Sequence, residues 1–341
     1  MRIVIIYNKD LDKVISKLGI QNREFYRDTT IEKIEASFVD RGYDVRVIDG
    51  NLEMFENLRD IIKEKDRIPF VFNLAYGIQG ECRYTHIPSI LEMLGLPYFG
   101  SGPFGHTLAL DKIISKILMD VHHIPTPVFW KFDNKNDLKQ DIEFPVIVKP
   151  EMEADSYGLK VVHDREELTE SVTSLLDEFS QTIFAEKFIK GREFALAMAG
   201  NGNEIECMPL IEVDLDEKTE GIFTSDQKIY NPKFKPAGDS LPRETVREME
   251  EKAKIFFSFL RLKDYARADI RMDSDGRYYF LEFNSMANLA PTGSFMTAAR
   301  AAGYKYDEMI NKLLETGMRK YFLKNEKLKL RYESKNNSDR K

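Results

Sequence analysis

Ala266-Arg-Ala-Asp-Ile-Arg-Met-Asp-Ser-Asp-Gly-Arg-Tyr-Tyr-Phe-Leu-Glu-Phe-Asn284 reads as one β-hairpin. Asp275-Gly276 predicts a two-residue turn, because glycine accepts the positive φ that a type I′ turn needs. With the turn centred there, Ala268 opposes Phe283, Ile270 opposes Leu281 and Met272 opposes Tyr279, which makes an apolar face. The other face pairs Asp269 with Glu282 and Arg267 with Asn284, since alternate residues of a strand share a face. A one-residue slip would scatter both sets. Two carboxylates at a Cβ separation of about 5 Å repel unless positive charge sits between them. The oxygen donors Asp269, Glu282 and Asn284 suit Mg²⁺, which binds through one or two carboxylates plus substrate phosphates, and Mn²⁺ is an alternative for the same ligands. Arg267 supplies a fixed positive charge for a phosphoryl group or a developing oxyanion. The competing reading is a solvated hairpin face on which Arg267 and Asp269 form a surface ion pair.

Working outward, the N-terminal third alternates strand and helix. Residues 3–7, 43–48 and 69–73 read as strands, and 30–41, 52–65 and 87–94 as helices, which predicts a parallel sheet with crossover helices. A further amphipathic helix spans 110–121 and stops before Pro125 and Pro127. Strands at 145–150 and 158–162 flank a polar loop that suggests a lid. A helix at 166–179 and a strand at 182–188 follow. Residues 194–199 and 204–213 read as antiparallel sheet, 214–239 as a long irregular stretch of the kind that is usually functional, and 242–260 as a helix. The fold class expected is α/β, becoming α+β in the C-terminal half. The expected domains are 1–105, 106–185, 186–323 and a charged tail at 324–341.

Among the 341 residues, 43% are hydrophobic and 31% charged, as in an ordinary soluble chain. No apolar run approaches the roughly 20 residues that cross a bilayer. The start, Met-Arg-Ile-Val-Ile-Ile-Tyr, reads as a first strand rather than a signal peptide. Cys82 and Cys207 alone give neither a disulfide framework nor a metal spacing, so a reducing cytoplasm is expected. The net charge of −7 argues against nucleic-acid partners.

Several further stretches join the hairpin in resembling the ATP-grasp superfamily, and within it the D-alanine–D-alanine ligase group. They are Leu94-Gly-Leu-Pro-Tyr-Phe-Gly-Ser-Gly102 with Leu110-Asp-Lys112 and Lys116, Val146-Ile-Val-Lys-Pro150, and Glu186-Lys-Phe-Ile-Lys-Gly-Arg-Glu193. The resemblance implies an ATP-grasp fold, an N-terminal α/β domain with two α+β lobes clamping ATP. It also implies a cytoplasmic ligase that takes ATP and Mg²⁺ with small carboxylate and amine substrates, has no membrane partner, and forms a homodimer. It assigns Lys112 and Lys149 to the ATP phosphates and Glu186, Lys187, Phe188 and Ile189 to the adenine. Glu193 falls to the ribose, and Asp269, Glu282 and Asn284 to the metal. Arg267, Ser156 and Lys228, the last in Ser225-Asp-Gln-Lys-Ile-Tyr230, become catalytic groups. Glu24, Tyr76 and Ser294 fall on the substrate side.

The chain departs from that group in four places. Asp155 and Ser156 replace two serines of the glycine-rich loop, and Tyr76-Gly77 replaces a histidine-glycine step. Ser285-Met-Ala-Asn288 replaces threonine-methionine-proline-glycine, and Glu24 follows a longer spacing. The expectation is an amide-forming ligase that works through an acyl phosphate and does not prefer D-alanine. Asp155 should favour an amine-bearing group over a second free carboxylate. The competing functions are ligation of an amino acid to a natural-product acid or carrier-protein arm, and a nucleotide-binding subunit without catalysis.

Overall fold

The computed structural model describes residues 1–9, 22–63, 68–154, 156–215, 221–222 and 233–322. Lys228 with its loop, Asp155 and the tail at 324–341 lie outside the described residues.

Strands β1 (Arg2–Tyr7), β2 (Asp44–Asp49), β3 (Phe70–Asn73) and β4 (Tyr98–Phe99) form the expected parallel sheet, in the order β2-β1-β3-β4. Ile3 and Ile5 pack with Ile31, Ile34 and Phe38 of α1 (Asp28–Val39). Val4 and Ile6 face the other way, onto Leu58 and Ile61 of α2 (Met54–Lys63) and Ile87 and Leu91 of α3 (His86–Met93). Helices on both faces explain why β1 is a continuous apolar run.

The helix expected at 110–121 is two helices, α4 (Pro103–Leu110) and α5 (Lys112–Val121). Asp111 breaks the run because its carboxylate caps the second helix, accepting the Ile114 amide at 2.8 Å. A strand that periodicity did not mark, β5 (Phe129–Phe132), joins β6 (Val146–Pro150), β7 (Lys160–Val162) and, after α6 (Arg165–Phe179), β8 (Ile183–Lys187). Their order is β5-β8-β6-β7, all antiparallel.

The third sheet holds β9 (Arg192–Ala199), β10 (Glu206–Cys207), β11 (Ile211–Val213), β12 (Phe234–Pro236), β13 (Tyr265–Met272) and β14 (Tyr278–Asn284). The single strand expected at 204–213 is therefore two short ones, broken at Met208-Pro209-Leu210, where proline cannot donate to the ladder. Phe194, Leu196 and Met198 of β9 pack on the side of α7 (Arg243–Phe259), together with Met249, Ala253 and Phe256. Ala195, Ala197 and Ala199 face the opposite way, so β9 contributes small side chains to the inner face of this sheet.

The hairpin of β13 and β14 keeps half of its expected register. Arg267 pairs with Asn284, Ala268 with Phe283 and Asp269 with Glu282, as read from the sequence. Between Asp269 and Ile270 the register shifts, so Ile270 opposes Phe280 and Met272 opposes Tyr278. The turn explains the error. Asp273 and Arg277 close it through an amide bond of 2.9 Å, which leaves Ser274, Asp275 and Gly276 in the loop, with Gly276 at φ +80°. A three-residue loop ending in a left-handed glycine moves the centre by half a residue, and a bulge at Leu281 restores the pairing of the carboxylates. Leu281 is thereby turned from the apolar face to the side that carries Glu282, where both line one cleft.

Two helices complete the fold, α8 (Ser294–Ala301) and α9 (Tyr306–Phe322). Asp264, fully buried and at φ +68°, ties α9 to the end of the first sheet. It accepts from the Gly100 amide at 2.7 Å, from Asn201 at 2.7 Å and from Lys320 of α9 at 2.9 Å. The substitution Asp264→Asn keeps the shape but strands the largely buried Lys320 ammonium. We expect a loss of roughly 3 kcal/mol, seen as a lower urea midpoint at unchanged slope, and an unchanged midpoint would show the pair to be dispensable.

His106 of α4 is buried under the end of the hairpin, with Nδ1 2.8 Å from Ser285 Oγ. Burial first, and then the charge of Lys320, depress its pKa from 6.5 to about 3. The folded chain therefore holds it neutral, while the unfolded chain takes up a proton near its ordinary value. Stability should fall as pH drops from 6.5 towards 3, by about 2 kcal/mol at pH 5 from this group alone. His106→Asn should flatten that slope in denaturation curves taken at pH 7.5 and pH 5, and a slope equal to that of the parent protein would refute the assignment.

Candidate active site

Facing sides of the second and third sheets enclose a narrow cleft of about 60 Å³, lined by Ile147, Lys149, Ser156, the segment Glu186 to Ile189, Glu193, Asp269, Leu281 and Glu282. Beside it lies a larger cavity of about 360 Å³ between residues 23–33 and the segment 288–294. The two cavities share Glu193 and Asp269.

Asp269 and Glu282 sit opposite each other, as strand pairing dictates. Arg267 grips Asp269 with Nε and Nη2 at 2.6 and 2.7 Å. The Asn284 amide nitrogen lies 2.9 Å from Asp269 and 3.4 Å from Glu282. From across the cleft Lys112, the first residue of α5, reaches within 3.7 Å of Glu282. Among the described residues no group of three or more His, Cys, Asp or Glu could hold a metal; this set is two carboxylates and one amide. It suits an ion that takes part of its shell from phosphates, with the Asn284 amide turned to present oxygen.

Lys149 ends β6 and donates to Glu186 at 2.5 Å. Lys116, fully buried, lies 2.6 Å from the other oxygen of Glu186. That second contact lacks hydrogen-bond geometry, so it is an ion pair. Lys116 donates instead to Thr126, which donates on to the Phe280 carbonyl of the bulged strand. Burial lowers the pKa of Lys116 and of Lys112, with Glu186 and Glu282 opposing it. Burial also acts to lower Lys149, but Glu186 and Glu282 outweigh it and push the group up. Burial acts to raise Glu186, and the two lysines outweigh that and hold it down. The result is a buried strip of alternating charge on the cleft floor, with lysines in excess.

On the cavity side, Glu24 is already engaged. It accepts from Arg83 at 3.1 Å and from the Tyr84 hydroxyl at 2.5 Å, and Arg83 also lies 3.7 Å from Glu153. Tyr76 is buried and stacked on Tyr26, its ring 5.8 Å away. It therefore stands one layer behind the cavity that Tyr26 lines. Ser294 lines that cavity at the first turn of α8. Ser156, at φ +59°, lines the cleft. Arg23 lies 3.5 Å from the centre of the Tyr157 ring, joining the loop after β6 to the segment before α1.

Sequence reasoning brought together Lys112, Lys149, Glu186, Glu193, Arg267, Asp269, Glu282 and Asn284. It gave no role to Lys116 beyond quoting it, and it missed Arg83 and Arg271. Arg271 could have been found, since it continues the alternation of Arg267 and Asp269 on the same strand.

Residues 126–315, more than half of the chain, match the family described as D-ala D-ala ligase C-terminus. An uncharacterized protein, y4sG of Sinorhizobium fredii, is 33% identical over 333 residues, covering 94% of this chain and 98% of that one. The D-alanine–D-alanine ligase of Carboxydothermus hydrogenoformans is 29% identical over 307 residues, covering 85% of this chain and 92% of its own. Of solved structures, the ATP complex of the D-alanine–D-alanine ligase of Bacillus anthracis superposes with a TM-score of 0.70 at 22% identity, over 94% of this chain and 98% of that one. The VanG D-Ala:D-Ser ligase of Enterococcus faecalis does so with 0.68 at 18% identity, over 93% and 99%. The chain therefore belongs to the D-alanine–D-alanine ligase family and is an ATP-grasp ligase.

Proposed function

We propose that the enzyme couples ATP cleavage to amide formation between two small substrates, and that D-alanine is not its preferred one. The observation that carries this reading is the meeting of the two cavities at Asp269 and Glu193. A nucleotide in the narrow cleft would point its phosphates at Lys112 and Lys149, with the substrates in the cavity beside it. Glu186 to Ile189 would border the adenine, and Glu193 would accept the ribose hydroxyls. Asp269, Glu282 and Asn284 would hold Mg²⁺, which when bound supplies charge neutralisation at the phosphates.

The substrate carboxylate attacks the γ-phosphorus, forming an acyl phosphate and ADP. The amine then attacks the acyl carbon, the amide bond forms, and phosphate leaves. Lys112 and Lys149 offset the phosphate charge while Arg267 faces the oxyanion of the second step, so the protein contributes position and electrostatics. Ser156 sits where the loop after β6 would close over the phosphates and exclude water. Glu24 lines the larger cavity with its charge already met by Arg83 and its second oxygen held by Tyr84, so it offers an incoming ammonium less uncompensated charge than a free carboxylate would.

Two measurements test this. Glu282→Gln should cut phosphate release at least about a hundredfold through lost phosphate and metal positioning, while stability changes by less than about 1 kcal/mol. Retained turnover would remove the hairpin from the chemistry. Phosphate release with D-alanine alone should fall at least about tenfold below the best acid and amine pair in a panel, the cost of one buried polar group left unpaired. D-alanine giving the highest kcat/KM would overturn the substrate reading and leave the ligase assignment standing.

A further inference from the structure

Arg271 is a buried cation of the cleft to which neither the family resemblance nor the proposed reaction gives work. It lies on β13 two residues beyond Asp269, and its backbone pairs with Glu193 of β9. Its guanidinium, almost wholly buried, makes four contacts. Nε and Nη2 both meet Oε2 of Glu193, at 2.9 and 2.8 Å. Nη1 donates to the Ile189 carbonyl at 3.2 Å, and Nη2 to the Gly221 carbonyl at 2.6 Å. The guanidinium carbon stands 5.6 Å from the centre of the Phe188 ring.

Both nitrogens take the same oxygen of Glu193. Among the described residues, Oε1 has no partner. That asymmetry is what a hydroxyl-reading carboxylate needs: one oxygen pinned, the other presented. A glutamate side chain has several rotors, and freezing them on ligand binding costs entropy. A planar fork with fixed donors removes that cost beforehand, which a lysine ammonium cannot do in the same way. The remaining donors run to the Ile189 carbonyl, on the hinge, and to Gly221. One side chain thus couples three segments around the place where the nucleoside would lie, and none of its contacts reaches Lys112 or Lys149.

We infer that Arg271 is a positioning residue that sets the sugar selectivity of the nucleotide site, by locking Glu193 for the ribose hydroxyls and fixing the hinge at Ile189. The inference rests on the proposed nucleotide reading of the cleft. It separates the sugar end from the phosphate end. Loss of Arg271 should weaken recognition of the ribose and spare recognition of the phosphates.

The test is calorimetric titration of the full chain, in Mg²⁺ buffer, with ATP, 2′-deoxy-ATP, 3′-deoxy-ATP and inorganic tripolyphosphate, so no amino-acid substrate is needed. The parent protein should prefer ATP over at least one deoxynucleotide by about tenfold, the range of a charge-assisted hydrogen bond. Arg271→Met, which keeps length and volume, should raise the Kd of ATP about tenfold and bring that preference to about threefold or below. Tripolyphosphate affinity should stay within about twofold. Arg271→Lys should fall between the two, and it carries the test if the Met variant does not fold. Glu193→Gln should lose the preference as well. Preference retained in the Arg271 variants but lost in Glu193→Gln overturns the role of Arg271 and leaves the nucleotide site in place. Equal weakening of ATP and tripolyphosphate also overturns it, since that marks a general structural role. No preference in the parent protein, with Glu193→Gln without effect, overturns the reading of the cleft and this inference together.

Discussion

Asp269 and Glu282 face each other on neighbouring strands, and two like charges so placed need cations close by. Three elements supply the balance. Arg267 grips one carboxylate, Lys112 approaches the other from α5, and the Asn284 amide lies against both. Meeting that constraint fixes much of the molecule. It requires β13 and β14 to keep their register at the site end, which the bulge at Leu281 restores after a turn of the wrong length. It also requires the start of α5 to be carried to the cleft, which the Asp111 cap makes possible by beginning a helix there. The same cap divides what hydrophobic spacing alone would draw as one helix.

Below this pair lies a second arrangement of charge. Lys116 and Lys149 share Glu186, all three buried, and Lys112, which faces Glu282, makes three lysines against two carboxylates along this strip. Buried charges are costly unless matched, and here the match is incomplete by one. A polyanion entering the cleft would complete it. Phosphates are thus favoured by the protein's own electrostatics, independently of any hydrogen bond made to a base or sugar.

The sequence made the sheet of β1 to β4 and the upper hairpin legible because both depend on local periodicity: a continuous apolar strand between helices, and alternation that puts Asp269 beside Arg267. What stayed hidden depends on shape or on distant partners. Asp275-Gly276 carries the signal of a two-residue turn, yet Asp273 closes a longer one, and nothing within the hairpin's own sequence announces the compensating bulge. β5 is four residues long, half exposed, and has no strong alternation. Arg83 drew no reading and Lys116 no role of its own, since one sequence gives no sign that Glu24, Glu153 and Glu186 will gather round them. Arg271 was visible by period, but its contacts to Ile189 and Gly221 come from segments far away in the chain.

The two sides of the site differ in what holds them, and this bears on how substrate choice can vary within one fold. The narrow cleft is built on strands whose positions are fixed by sheet pairing, so a change in one residue is resisted by the whole ladder. The larger cavity is bounded by the segments 23–33 and 288–294 and by the loop that carries Tyr157, each anchored by a few side chains. Those anchors are coupled. Glu24 depends on Arg83, Arg83 also answers Glu153, and Glu153 offers its carbonyl to Lys112 in the cleft. Changing the charge at Glu24 would leave Arg83 buried with less compensation and would be felt at Glu153, next to the group expected to meet the phosphates. On the proposed reading of the site, a change at Glu24 would thus reach Lys112 through Arg83 and Glu153, so altering one residue of the cavity at a time should disturb the cleft as well.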